Sequence, residues 1–355
     1  MITSESTSKE WIEKVSKSKK ADKILVEKVI RALILLEKLS ESDLDFIFKG
    51  GTALMLLFNS SKRLSIDIDI IVPDKNADLG KIVAEICEKS DFIRSEKQER
   101  KAGSQIDKEH YKLFFISSLT GEESYILLDV LKEEVHYKNV IEIPIESDFT
   151  QQEGVENKVK VPDYNNILGD KLTAFAPNTT GIPYRKGKKE MGMEIIKQMY
   201  DIGCLCDHAD DPEVFAEVFS LFAETEIVYR DIICNVSDVL EDLIENALSV
   251  CLRQTIGKAE FDVLNRGIVQ IKSFVFSEGF HLEKAITYAA KAAYIAALIK
   301  YEAKEIIRFN PTENMRDWLI KEPMNTKLNK LKKSNPEAFF YLYQLSELIL
   351  DKTTS

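Results

Sequence analysis

The chain has few of the residues from which metal centres and disulfide frameworks are built. Its 355 residues include four histidines and five cysteines, an odd number of scattered thiols. Cys204 and Cys206 form C-x-C rather than the C-x-x-C of zinc and redox motifs, and no two histidines stand at metal-ligand spacing. These absences argue against a zinc site, and scattered free thiols are typical of a reducing compartment.

Long apolar runs and an excess of positive charge are also missing. No apolar stretch approaches the roughly 20 residues needed to span a bilayer, and the N-terminal segment lacks the apolar core of a signal peptide. Acidic residues outnumber basic ones by 59 to 48, which gives a formal net charge of −11. That charge excludes a general nucleic-acid coat protein, so a nucleic-acid partner would need a local basic patch. The sequence predicts a cytoplasmic protein with no membrane partner.

The residue pattern changes near residue 160, and the length predicts about two domains. The first part, 1–160, reads as α/β: residues 21–39 are helix-periodic, residues 66–72 have strand period, and residues 111–117 and 125–131 form a hairpin pattern. The second part, 161–355, reads as all-helical. Its helix-periodic segments are 165–176, 189–206, 212–225, 237–256, 260–278, 283–308 and 336–351. The stretches predicted to be least ordered are the first ten residues, 99–108 and 177–189.

One short stretch carries a recognisable chemistry. A strand pattern ends in Lys49-Gly50-Gly51-Thr52-Ala53-Leu54, and the next strand pattern carries Arg63-x-Ser65-x-Asp67-x-Asp69. Side chains at i and i+2 of a strand share a face, so the two aspartates are expected to project together. Paired carboxylates suit Mg²⁺, and a glycine turn at a helix N-terminus suits a phosphate. Taken alone, the two aspartates favour a solvated strand face, because exposed charges alternate on many half-buried strands.

The combination of these motifs resembles the DNA-polymerase-β-like nucleotidyltransferase superfamily. The finer pattern, K-G-G-T-A-L followed by R-x-S-x-D-x-D, is similar to the AbiEii/AbiGii toxin family. The resemblance implies an α+β fold, in which a nucleotidyltransferase domain with a small mixed sheet is followed by an all-helical domain. It implies an NTP substrate and Mg²⁺, with Mn²⁺ as an alternative. The implied metal ligands are Asp67, Asp69 and Asp129, and the implied nucleotide-binding residues are Gly50, Gly51, Thr52, Arg63, Ser65 and Lys171.

Two later motifs extend the resemblance into the helical part. Asp170-Lys171-Leu172-x-Ala174 is similar to the family's D-K-L-x-A helix, whose lysine is implied to contact the triphosphate. Asp201 matches the second acid of the closing D-x-x-D-[LI] motif, while Gln198 stands where the first acid is common. The implied catalytic set is therefore completed by Lys171 and Asp201. A lysine among apolar neighbours could instead snorkel from a core helix.

The resemblance implies the toxin of a bacterial toxin–antitoxin or abortive-infection pair. Such a toxin would transfer a nucleotide from an NTP to an RNA such as tRNA, and an antitoxin encoded nearby would not form a stable complex with it. The alternatives are an aminoglycoside-type small-molecule nucleotidyltransferase and a catalytically weak nucleotide-binding module. Two basic runs are candidate RNA contacts, and the first is preferred because it follows Lys171 in sequence: Arg185, Lys186, Lys188 and Lys189, then Lys327, Lys330, Lys332 and Lys333.

Overall fold

The computed structural model describes residues 1–58, 62–98 and 108–354. The chain divides into two compact units: Met1–Asp163 together with Ser273–Gly279, and Tyr164–Lys272 together with Phe280–Ser355. The sequence predicted the ranges 1–160 and 161–355. The short segment Ser273–Gly279 belongs to the first unit. Periodicity along the chain could not predict this, because it carries no information about contacts between distant segments. No helix in the described ranges is both long and apolar enough to cross a membrane.

The first unit is built on a five-stranded sheet with the order β1-β2-β5-β4-β3. Strands β2 and β5 pair in parallel, while the remaining pairs are antiparallel, so the sheet is mixed. A separate antiparallel pair is formed by β6 and β7. The strands are β1 Ile47–Lys49, β2 Ile68–Ile71, β3 Arg94–Lys97, β4 Lys108–Ile116, β5 Glu123–Leu131, β6 Val140–Pro144 and β7 Lys158–Pro162. The predicted α+β class is confirmed.

The helices of the first unit are α1 Lys9–Lys19, α2 Lys23–Ser40, α3 Gly50–Leu57 and α4 Leu79–Glu88. Helix α2 begins where the Asp22 carboxylate accepts hydrogen bonds from the backbone N–H groups of Ile24 and Leu25, an N-cap. Its residues at three- and four-residue spacing, among them Val29 and Leu33, are completely buried. Helix α2 contacts β2 and β5, so the predicted amphipathic helix packs its apolar stripe on the sheet.

The predicted hairpin is present, with β4 and β5 paired from Lys108–Leu131 to Ile116–Glu123. Alternation along the central strands separates an apolar face from a polar one. On β2, Ile68 and Ile70 are buried while Asp69 between them is partly exposed. On β5, Leu128 and Val130 are buried and Asp129 is partly exposed. The polar face of these two strands is where the candidate site lies.

The second unit is helical apart from one small hairpin, β8 Arg185–Lys186 with β9 Lys189–Glu190. Helix α10 lies at its centre and contacts α6, α8 and α12. Its alanine-rich sequence is buried on nearly every side, as expected of a helix that is apolar all round. The helices are α5 Tyr164–Ala174, α6 Gly192–Cys206, α7 Pro212–Arg230, α8 Val236–Leu252, α9 Phe261–Gln270, α10 Leu282–Lys300, α11 Leu331–Ser334 and α12 Pro336–Thr354.

Several element predictions differ from the structure. The predicted helix 260–278 ends at Gln270 and Ile271–Ser273 forms a short 3-10 helix, because the following segment pairs with the first unit, where Leu64 N–H donates to Phe274 O. The predicted helix 283–308 ends at Lys300, and the chain continues without regular structure.

The stretches predicted to be least ordered also differ. Residues 4–7 form a 3-10 helix, Ile2 pairs with Gln152, and the Met1 amino group donates to Glu153 O. Within 177–189 the side chain of Thr180 is buried and the β8–β9 hairpin begins. The third stretch, 99–108, lies outside the described residues apart from Lys108, which opens β4.

Candidate active site

A row of four polar residues crosses the mixed sheet. Lys49 on β1 is directly opposite Asp69 on β2, and Asp69 is directly opposite Asp129 on β5. Asp129 is in turn directly opposite His110 on β4. Opposed residues on neighbouring strands point to the same face, and neighbouring strands are about 4.8 Å apart. Two carboxylates therefore lie side by side, between a lysine and a histidine, on one face of the sheet.

The backbone at Gly50 lies directly against the carboxylate of Asp69. Gly50 has φ +81°, in the left-handed region that favours glycine. A Cβ placed on Gly50 would stand 2.2 Å from Asp69 Oδ2. Both the turn and the close approach therefore require glycine, and the position puts the start of α3 against the aspartate.

The second glycine brings the start of α3 beside the other predicted phosphate-binding residues. A Cβ on Gly51 would lie 2.7 Å from both Arg63 Nη2 and Ser65 Oγ. Arg63 is buried, and its Nη1 donates to Leu64 O. A helix N-terminus, a guanidinium and a hydroxyl are thus gathered at one turn, an arrangement suited to a bound anion. Of the six residues predicted to bind the nucleotide, four come together at this turn: Gly50, Gly51, Arg63 and Ser65.

Thr52 is placed differently from its expected role at a phosphate. Its side chain is completely buried, and the hydroxyl donates to the backbone carbonyl of Asp67 at 2.6 Å. This hydrogen bond therefore links α3 to the segment that carries Asp67 and Asp69. Asp67 itself lies just before β2, which begins at Ile68 rather than at the predicted Ile66.

Asp129 and His110 form a contact that the sequence did not predict. His110 Nδ1 and Asp129 Oδ1 are 2.5 Å apart, and the imidazole is almost fully buried. The only sequence signal was one histidine at the start of a strand pattern. Its partner depends on the register of the hairpin, which a pattern of alternating residues does not fix.

The donor chemistry of this face suits a hard divalent cation such as Mg²⁺ or Mn²⁺, because carboxylate oxygens are its preferred ligands. Asp69 and Asp129 fit such an ion through their adjacent register positions. In the described ranges, however, no three histidine, cysteine or acidic side chains are grouped closely enough to hold a metal, and Asp129 is turned towards His110. The ligand set Asp67, Asp69 and Asp129 stays a prediction.

In the second unit, Lys171 on α5 meets both positions of the closing motif on α6. Its Nζ lies 3.0 Å from Asp201 Oδ2 and donates to Gln198 Oε1 at 3.0 Å. Both members of the ion pair are buried, with Lys171 8% and Asp201 3% exposed. Gln198, the departure from the motif, therefore preserves an oxygen acceptor for the lysine but supplies no second negative charge.

The two basic runs differ in how their charges are used. Arg185 on β8 forms ion pairs with Glu260 and Glu190, and hydrogen bonding to Glu260 raises the pKa of Arg185. In the second run, Lys332 donates to the carbonyls of Arg316 and Trp318. Three other lysines of that run are exposed and have no ion pair or side-chain hydrogen bond within the described ranges: Lys327, Lys330 and Lys333.

A mixed sheet with a glycine turn, an adjacent acid row and a following helical unit defines a nucleotidyltransferase fold. The family model described as "Nucleotidyl transferase AbiEii toxin, Type IV TA system" matches residues 34–266. The chain belongs to this AbiEii family and is a nucleotidyltransferase of the toxin–antitoxin class, for which the family implies an NTP substrate and an antitoxin.

A solved structure agrees with the fold. MenT4, a nucleotidyltransferase toxin from Mycobacterium tuberculosis H37Rv, is 13% identical, with a TM-score of 0.51 over 95% of this chain and 98% of that one. A second match, JHP933 from Helicobacter pylori, is 16% identical, with a TM-score of 0.42 over 78% of this chain and 90% of that one. No curated protein matches the chain.

Proposed function

We propose that this toxin transfers a nucleotide from an NTP to an RNA acceptor such as tRNA, at the acid row of the mixed sheet. The observation that carries the proposal is the direct register pairing of Asp69 with Asp129 beside the Gly50–Gly51 turn. An anion site at a helix N-terminus and an adjacent carboxylate pair are the two features that a triphosphate and its cation require. Family membership supports the NTP as donor.

In the proposed reaction an acceptor hydroxyl oxygen bonds to the α-phosphorus of the NTP, the bond to the β-phosphate oxygen breaks, and pyrophosphate leaves. Asp67, Asp69 and Asp129 would hold the divalent cation, which when bound offsets charge on the phosphate oxygens. Gly51 at the start of α3, with Arg63 and Ser65, binds and orients the triphosphate. Asp129 receives the proton of the acceptor hydroxyl.

We also assign Lys171 a role in binding the nucleotide triphosphate. Its ion pair with Asp201 and its hydrogen bond to Gln198 hold the ammonium in a fixed position despite burial. A fixed point charge is suited to a phosphate oxygen. Replacing the first acid of the motif by Gln198 leaves this lysine with less negative charge around it, which favours an anionic ligand.

The direct test uses the purified chain, total tRNA, total ribosomal RNA and an aminoglycoside as separate acceptors, with each α-³²P-labelled NTP in turn. We expect label on RNA with one or a few of the nucleotides, and loss of label when EDTA removes the divalent cation. Label on the aminoglycoside alone would instead support a small-molecule transferase. NTP binding without transfer to any acceptor would support the catalytically weak module.

A further inference from the structure

His110 stands at the end of the polar row and contacts the carboxylate proposed to receive the acceptor proton. Its Nδ1 lies 2.5 Å from Asp129 Oδ1. Since a carboxylate is the acceptor, the ring nitrogen must be the one that carries the hydrogen. The histidine is 8% exposed, and its Nε2 has no hydrogen-bond partner among the described residues. The imidazole therefore has one defined hydrogen-bonding contact, and that contact is Asp129.

Asp129 is held on one side only. In the described part of the chain its carboxylate makes no hydrogen bond or ion pair other than the one to His110. The Asp129 side chain is 36% exposed, whereas the histidine opposite it on the neighbouring strand is buried. On its other side stands Asp69, a second carboxylate that repels it. A buried donor on Oδ1 restricts rotation of the carboxylate and leaves the second oxygen, Oδ2, without a hydrogen-bond partner among the described residues.

We infer that His110 is a positioning residue that fixes the carboxylate of Asp129, so that Oδ2 is presented to the divalent cation and the acceptor hydroxyl. This inference rests on the proposed function. Side chains that orient a metal ligand through a hydrogen bond typically change metal affinity or activity by about 10- to 100-fold when they are removed. The alternative is that His110 contributes only to packing and does not orient the Asp129 carboxylate.

Three substitutions separate these roles. His110→Asn keeps an N–H donor close to the position of Nδ1, whereas His110→Gln places its amide near Nε2, away from Asp129. His110→Leu fills the space without any donor. Mn²⁺ binding to the protein with a non-hydrolysable NTP analogue is measured by electron paramagnetic resonance, and kcat and KM for the NTP are measured in parallel.

For His110→Leu and His110→Gln we expect Mn²⁺ affinity to fall by about 10-fold or more and kcat to fall with little change in KM, while His110→Asn stays within a few-fold of wild type. If His110→Leu does not fold, the Asn and Gln pair still decides the outcome. Equal effects of His110→Asn and His110→Gln, or unchanged Mn²⁺ affinity in His110→Leu, would overturn the positioning role of His110 but not the proposed function. Failure of the wild-type protein to bind Mn²⁺ would overturn the proposed cation site and this inference together.

Discussion

At Gly50 two separate reasons require glycine in the turn: backbone conformation and space. Gly50→Ala forces a side chain into φ +81° and puts a Cβ 2.2 Å from Asp69 Oδ2. Gly154→Ala, at φ +79° with nothing within 4 Å, has the same backbone problem in open space. We expect Gly154→Ala to lower the free energy of unfolding by about 1–2 kcal/mol, and Gly50→Ala to lower it by about 1–3 kcal/mol more. Urea denaturation of both variants measures the difference.

Activity provides the second comparison between these glycines. Since only Gly50 contacts Asp69, label transfer should survive in Gly154→Ala at temperatures where the variant is folded, and should be abolished in Gly50→Ala. Equal stabilities and equal activities of the two variants would show that the Asp69 carboxylate is not held against the turn.

The buried ion pair of Lys171 and Asp201 is also a residue-scale test. Asp201→Ala leaves a buried ammonium beside the Gln198 oxygen with no negative partner in the described ranges, so we expect a loss of about 3–5 kcal/mol of unfolding free energy. Asp201→Ala combined with Lys171→Met removes both charges and should recover part of that loss. A double-mutant cycle from urea unfolding measures the coupling. Additive losses would mean that the pair is not coupled in solution.

Three elements of the sheet meet at Glu109 on β4, whose carboxylate contacts Lys97 on β3 at 2.7 Å and Lys132 after β5 at 2.8 Å. Burial alone would raise the pKa of Glu109, but hydrogen bonds from two lysines and a tyrosine outweigh it and lower the pKa to about 2. A folded-state pKa below the unfolded one means that the stabilisation is complete above about pH 4.5 and is lost as the pH falls towards 2.

Glu109→Gln should therefore destabilise the protein at pH 6, and its difference from wild type should shrink between pH 4.5 and pH 2. The exposed Glu146→Gln is the matched control and should follow the wild-type curve throughout. Urea midpoints across this pH range measure the effect. A difference that stays constant with pH would contradict the assigned network.

The elements also show what a single sequence can and cannot predict. Local periodicity was sufficient for α2, for the β4–β5 hairpin and for most helices of the second unit. It failed where distant pairing decides: the segment after Gln270 leaves the helical pattern because Leu64 hydrogen-bonds to Phe274. The glycine turn could be predicted from its motif. The contact of His110 with Asp129 could not, since it depends on strand register.

For the molecule as a whole, the net charge of −11 makes RNA binding depend on local cation clusters. The first run was the expected RNA-binding segment, but Arg185 is engaged with Glu260 and Glu190. We therefore predict that neutralising Lys327, Lys330 and Lys333 flattens the salt dependence of RNA affinity more than neutralising the first run. The slope of log affinity against log salt should fall by about 0.7 for each phosphate of single-stranded RNA that the variant no longer binds. Slopes that stay at the wild-type value in both variants would mean that neither run binds RNA, and an equal fall in both would contradict the predicted difference.

The central claim is that nucleotidyl transfer takes place at the paired carboxylates of the mixed sheet. The most direct measurement is transfer of α-³²P label to tRNA by wild type, Asp69→Asn and Asp129→Asn under identical conditions, with urea unfolding of each protein as the control. Removing one of two neighbouring like charges relieves their mutual repulsion when no divalent cation is bound, and the urea curves check that each variant is folded. We predict label transfer by wild type and a loss of at least about 100-fold in each variant. Wild-type levels of transfer by a folded Asp69→Asn variant would contradict the claim.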